Sequence, residues 1–210
     1  MKTKRLNFGS RRMLSESQEI EILELITTKR PFQLKFEYEF GKPYLWTRGF
    51  VKQMIMNKYG LEISDAGLVK YLKRWGFPTL VKNVIKPGPN GENFRERLFK
   101  DRKDTLVRRE FETSKIYWMG NSDILRLEGR KRTLITVADS RGRIEWMAVN
   151  GRFDGKAQVK LLKSMAGQAR SKVFLINKKS TQFNNTLVTA WLINNNSEIE
   201  VLHFEDMATL

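Results

Sequence analysis

The sequence predicts a two-part chain of mixed α+β and α/β character: an N-terminal all-α helix-turn-helix unit with a winged segment, then a mixed β-sheet with flanking helices. Three observations predict it. Apolar residues recur at helical spacing as far as Trp75, and from Lys115 onward they gather into short strand-like runs. Between the two regimes, residues 81–92 hold two prolines and two glycines, which preclude a continuous helix. A chain of 210 residues fits such a division. The expected boundaries are 1–80 for the helical unit, 81–111 for a basic linker and charged helix, and 112–210 for the sheet.

The first helix opens at Ser15, which forms a capping box with Gln18; Ile20, Leu23 and Ile26 follow at helical spacing to about Thr28. Pro31 ends that pattern, and residues 31–45 read as a loop or short wing punctuated by Gly41 and Pro43. Thr47 caps a second helix running to about Tyr59, with Phe50, Val51, Met54 and Ile55 inward and Gly60 in the left-handed position that closes it. Ser64 caps a third helix from Asp65 to about Trp75, with Leu68, Leu72 and Trp75 on one face; Gly76 and Pro78 stop it. Two helices joined by a short turn containing glycine form the helix-turn-helix pattern. In that pattern the second helix enters the major groove, so its outer side has to be polar and basic. Here the outer side offers Ser64 and Asp65 at the N-terminus, then Lys70, Lys73 and Arg74.

A charged helix over about 93–111 follows the linker. Beyond it, Ile116 to Met119 reads as a short buried strand, and Thr133–Ala138 and Ile144–Val149 as a hairpin turning at Gly142. Asp154 and Gly155 lead into a helix over 156–169. Val173 to Ile176 is uninterrupted and apolar, as a strand covered on both faces requires. A helix over about 184–194 and a strand over 199–204 complete the order β-β-β-α-β-α-β, which implies a mixed sheet with helices on its faces. Trp46, Trp75, Trp118, Trp146 and Trp191 read as core anchors.

Composition narrows the chemistry. The chain carries 39 Lys+Arg against 23 Asp+Glu, a formal charge of +16. Residues 1–110 hold 24 basic and 13 acidic side chains, net +11, so most of the excess lies in the helical part and its linker. Such a balance points to a polyanion, because Lys and Arg placed against phosphates release condensed counterions. With no Cys there is neither a disulfide framework nor a thiolate metal site, and the single His203 reads as a strand residue without a catalytic role. No run of about 18 apolar residues and no signal-peptide pattern is present, so the expected setting has no membrane.

Several stretches carry a resemblance. They run Leu45-Trp46-Thr47, Tyr59 to Ser64, Tyr71 to Phe77, Ile116-Tyr117-Trp118, Arg141 to Ile144, Gly151-Arg152-Phe153, Val173 to Ile176, Val188 to Leu192 and Ile199 to Phe204. In this order the chain resembles bacterial insertion-sequence transposases of the mariner superfamily. That resemblance implies a winged helix-turn-helix joined to an RNase H-like domain, whose three acidic residues (the DDE set) bind Mg²⁺. It covers about Pro31 to Phe204. At the acidic positions the chain departs from the family. The first matches Gly120, with Asn121 after it. The second matches Lys178, followed by Lys179, and the family's later His matches Phe183. The third lies past a Pro-rich turn that the sequence to Leu210 does not include.

Two-metal phosphoryl transfer needs carboxylates converging on the cations. Gly120 supplies no ligand, and an ammonium at Lys178 would repel a cation. The expected function is therefore a catalytically inactive pseudoenzyme of mobile-element origin. It would bind double-stranded DNA at transposon ends, need no cofactor, and reside in the bacterial cytoplasm on the nucleoid. One alternative is an active, Mg²⁺-dependent recombination enzyme using displaced acids or a partner subunit. Asp123 is the foremost candidate acid there, ahead of Asp139, Asp154, Glu205 and Asp206. Another is an interaction module forming homodimers, or mixed oligomers with an intact transposase.

Overall fold

A computed structural model describes residues 12–34, 43–78, 113–127, 130–139, 142–177 and 182–203. The expected linker at 81–92 and charged helix at 93–111 lie outside the described residues, as does most of the wing.

Helix α1 spans Glu16–Thr28 and begins with the full capping box: Ser15 Oγ accepts from the Gln18 amide, and the Gln18 side chain accepts from the Ser15 amide. Its inward row is Glu19, Ile22 and Ile26. Ile20, expected inward, faces solvent, because the inward position one turn above Ile22 is given to the carboxylate of Glu19. After Lys29 a 3₁₀ turn covers Pro31–Leu34. Helix α2, Arg48–Tyr59, is capped by Thr47 and buries Val51, Met54 and Ile55. It closes on Gly60 at φ 65°, a backbone region that costs a side-chain-bearing residue roughly 1 kcal/mol or more. Helix α3, Asp65–Arg74, is capped by Ser64 and buries Leu68, Tyr71 and Leu72.

The strands are β1 (Lys115–Leu127), β2 (Arg130–Asp139), β3 (Ile144–Asn150), β4 (Val173–Asn177) and β5 (Ile199–His203). They form one five-stranded sheet in the order β3-β2-β1-β4-β5. β1, β2 and β3 pair antiparallel, and β4 joins β1, and β5 joins β4, in parallel. β4, between β1 and β5, is buried along its whole length, as its continuous apolar run requires. β1 is far longer than the Ile116–Met119 run suggests. Its middle, Gly120 to Asp123, has no apolar residue and stays extended because β2 supplies a ladder beside it. Helices α4 (Gly155–Gln168) and α5 (Thr186–Asn194) start at Asp154 and Asn185 caps. The chain is thus of α+β class, with helices and a mixed sheet.

Alternation along the strands divides the core. On one face Leu134, Ile144 and Trp146 join Ile22, Ile26, Val51, Leu68 and Leu72 of α1–α3 in a single cluster. On the other face Tyr117, Ile135, Met147 and Leu175 pack with Leu161, Leu162 and Met165 of α4 and Val188 of α5. Trp46 joins the edge strand β3. Trp46 and Trp146 exchange both backbone hydrogen bonds, at 2.8 and 3.0 Å, so the edge of β3 is partly covered there. Leu45 then lies in one cluster and Trp46 in the other, as neighbours on an extended segment must. Trp46, Trp75, Trp118 and Trp146 are buried, and Trp191 is half-buried. Among the described residues no helix is long and apolar enough to cross a membrane.

Candidate nucleic-acid interface

The α2–turn–α3 unit is built from its caps. The Thr47 hydroxyl accepts from the Phe50 amide at 3.2 Å, and the Ser64 hydroxyl accepts from the Gly67 amide at 3.1 Å. Ile63, buried in the turn between the helices, anchors their connection to the core. The apolar faces of α2 and α3 point into the cluster shared with the sheet, which leaves the opposite side of α3 to solvent.

The five residues expected to meet DNA are not equivalent there. Ser64 is exposed but its oxygen is engaged as the helix cap. Asp65 is exposed and pairs with Lys52 of α2 at 3.0 Å. Lys70 and Lys73 are exposed, and no ion pair holds either among the described residues. Arg74 turns back toward α1: its guanidinium meets the Glu19 carboxylate at 2.5 Å and lies over the Tyr71 ring, 4.6 Å from its centroid. Glu19 also accepts from the Trp75 indole at 2.9 Å. The structure therefore keeps Lys70 and Lys73 open and gives Arg74 an internal partner.

Composition alone does not reveal this pairing. Lys58 meets Glu21 at 2.8 Å, and Glu21 also accepts from the Tyr59 hydroxyl at 2.6 Å. Those two donors hold the Glu21 carboxyl below its ordinary range. Burial, then Glu21 itself, pushes the Tyr59 hydroxyl up. Tyr71 is a further residue the pattern missed, since its hydroxyl accepts from the Met13 and Leu14 amides at 3.1 and 3.0 Å. The available signal is Glu19's place on the apolar row of α1, where a carboxylate requires a partner.

The second region of interest is the rim where β1 and β4 run side by side. Their last registered pair is Trp118 with Ile176, two residues before Gly120 and Lys178 respectively. The β1–β2 register slips between Met119 and Ser122, so Gly120 and Asn121 form a bulge opposite Thr136. The bulge leaves no room for a side chain at Gly120: a Cβ there would lie 2.9 Å from the Thr136 carbonyl and closer still to its hydroxyl. Gly120 therefore neither offers a metal donor nor has space for one, and the local arrangement does not fit a Mg²⁺ ligand at that position. Lys178, Lys179, Glu205 and Asp206 lie outside the described residues.

Of the remaining described acids, Asp139 and Asp154 have local tasks. Asp123 sits in β1 opposite Leu134. Asp139 closes the β2–β3 turn, accepting from the Arg143 amide at 2.9 Å and Nε at 2.6 Å. Asp154 caps α4 by accepting from the Ala157 amide at 2.9 Å. Phe183 is buried edge-on against Phe153. His203 is a β5 residue paired with Asn177. Among the described residues no group of three or more His, Cys, Asp or Glu side chains is placed to hold a metal ion.

A half-buried polar relay lies on the face of the sheet packed by α4. Glu145 of β3 accepts from the Tyr117 hydroxyl at 3.1 Å and from Gln168 Nε2 at 2.6 Å, and Gln168 Oε1 accepts from the Tyr44 and Leu45 amides. Burial raises the Glu145 carboxyl above its ordinary range, partly offset by those two donors and by Lys115. Burial, then Glu145, pushes the Tyr117 hydroxyl up. The relay ties residues 44–45 to the sheet through α4.

No family model matches the chain, and no curated protein matches it. Among solved structures it is similar to a chain of the simian T-cell lymphotropic virus intasome in complex with PP2A regulatory subunit B56 gamma, with a TM-score of 0.34 and 11% identity. That likeness covers 42% of this chain and 31% of the other. A likeness at that level carries no argument about what this chain does.

Proposed function

We propose that the chain is a DNA-binding protein of transposase origin, without strand-cleaving activity, that holds duplex DNA through α2 and α3. The observation carrying this reading is the α2–α3 pair. It is capped at both N-termini, closed at Gly60 and anchored inward by Leu68 and Leu72. On the outer side of α3, Lys70 and Lys73 stand exposed, with no ion pair on either among the described residues. Phosphate contacts from such lysines supply sequence-independent affinity, and α3 lying in the major groove would supply base contacts. Arg74 then acts as a support that fixes α3 against α1.

The mariner-superfamily ancestry and the RNase H-like assignment of the sheet belong to the same proposal. The strand order β3-β2-β1-β4-β5, antiparallel on one side of β1 and parallel on the other, supports the RNase H-like reading. The closed bulge at Gly120 supports the absence of cleavage, because one of the carboxylates that two-metal chemistry requires has neither a residue nor a space there.

Duplex binding measured by fluorescence anisotropy over a salt series tests the DNA reading. Affinity falls as salt rises, and Lys70→Ala with Lys73→Ala lowers both the affinity and the salt slope, by about one for each phosphate no longer neutralised. A flat salt plot, or a double variant that binds like the parent, refutes it. Incubating labelled duplex with Mg²⁺ or Mn²⁺ tests the second half, and cleavage by the parent chain would refute inactivity.

A further inference from the structure

Helices α4 and α5 cover the face of the sheet opposite α1–α3, and their charge is one-sided. Helix α5 has no charged residue, and α4 carries Lys156, Lys160 and Lys163 without a single Asp or Glu. All three lysines are exposed, and no ion pair holds any of them among the described residues. Elsewhere the chain gives its cations partners: Lys52 has Asp65, Lys58 has Glu21, and Arg74 has Glu19. The acid that precedes α4, Asp154, is committed to the cap, where it accepts from the Ala157 amide.

Spacings of four and three residues put the lysines in one row along α4, while Ala157, Leu161, Leu162 and Met165 turn toward the sheet. From Lys156 to Lys163 the row advances about 10 Å, at roughly 1.5 Å per residue. Helix stability does not account for it. Each like-charge neighbour at i,i+3 or i,i+4 costs about 0.2–0.5 kcal/mol in an isolated helix. Lys156 also lies in the first turn, where the helix macrodipole disfavours a cation. Solvated faces ordinarily intersperse both signs and so avoid that cost, and α4 does not.

We propose that the row Lys156, Lys160 and Lys163 is a second duplex-binding face, which grips the phosphate backbone of DNA. The phosphates of one strand advance about 3.4 Å each along the duplex axis, so about three of them match the row when α4 lies beside the strand. Ammonium groups on flexible stems act there as point charges and displace condensed counterions. The helix-turn-helix packs on the other face of the sheet, so this contact is additional to that of α3 and does not depend on it.

Duplex binding by fluorescence anisotropy over a salt series tests the row. Lys156→Gln with Lys163→Gln lowers affinity by the same factor on duplexes of unrelated sequence, and the slope of log affinity against log salt becomes smaller by about two. Lys29→Gln with Lys131→Gln removes the same charge from exposed positions outside α4 and leaves the slope at the parent value. Unchanged binding by the α4 double variant overturns the proposal. So does an equal loss in both double variants, which would mark an effect of net charge alone. Should the α4 double variant fail to fold, the single Lys160→Gln gives the same reading, with a slope smaller by about one. If the Lys70 and Lys73 variants bind like the parent while the α4 variant weakens binding, the helix-turn-helix reading falls and the α4 face stands. The reverse pattern removes the α4 face and leaves the helix-turn-helix reading intact.

Discussion

Glu19 shows how much one side chain decides here. It is 8% exposed and takes both the Arg74 guanidinium and the Trp75 indole. Glu19→Ala leaves two donors unpaired beside the core, although Arg74 retains some access to water. We expect a loss of about 2 kcal/mol in urea unfolding, and a smaller one for Glu19→Gln, which still accepts one bond. Glu145 makes stability depend on pH. Its folded carboxyl is raised above the ordinary 4.5, so the protonated form is the one the fold favours. Its contribution is complete below about pH 4.5 and is lost as pH rises through the higher folded value. Glu145→Gln keeps that contribution at every pH. Its Tm should match the parent in acid and gain on it toward neutrality, and a constant difference across the series would contradict the assignment.

At the scale of elements, the helices were the most legible part of the sequence. Ser15, Thr47, Ser64 and Asp154 each stand where a helix begins, since a short oxygen side chain ahead of an apolar row answers a local need of the backbone. Gly60→Ala should cost about 1 kcal/mol through its left-handed φ alone, because no atom lies within 4 Å of the added Cβ. Gly120→Asp is the sharper case. It restores the residue type that the resemblance implies, yet its Cβ meets Thr136. We expect it to lower the Tm and not to confer Mg²⁺-dependent cleavage, both measured on the same preparation. The middle of β1 was not legible, because Gly120 to Asp123 carry no apolar alternation. Their extended form comes from the neighbouring β2 and from a bulge that resets the register.

For the molecule as a whole, the helices and the sheet share one core cluster that includes Trp46 and Trp146. Removing either part would expose large apolar side chains, each worth on the order of 1.5–3 kcal/mol when buried. Far- and near-ultraviolet circular dichroism should therefore follow one coincident thermal transition. Two separated transitions would show that the helical unit and the sheet unfold independently. The charge asymmetry was visible in composition, and its distribution was not: counting Lys and Arg does not reveal that Lys52, Lys58 and Arg74 are paired while the half-buried Arg30 has no acid on it among the described residues.

The sequence by itself determined the caps, the helix stops, the buried character of β4 and the sign of the molecule's charge. Each follows from chemistry within a few residues of the chain or from composition alone. Tertiary structure decided which cations remain open, which face of α1 turns inward, that Trp46 joins the edge strand β3, and that Gly120 has no room for a carboxylate. The physical reason is range. Capping and periodicity act through neighbours along the backbone, whereas ion pairing, register and close approach join residues such as Glu19 and Arg74, or Gly120 and Thr136, that only folding brings together.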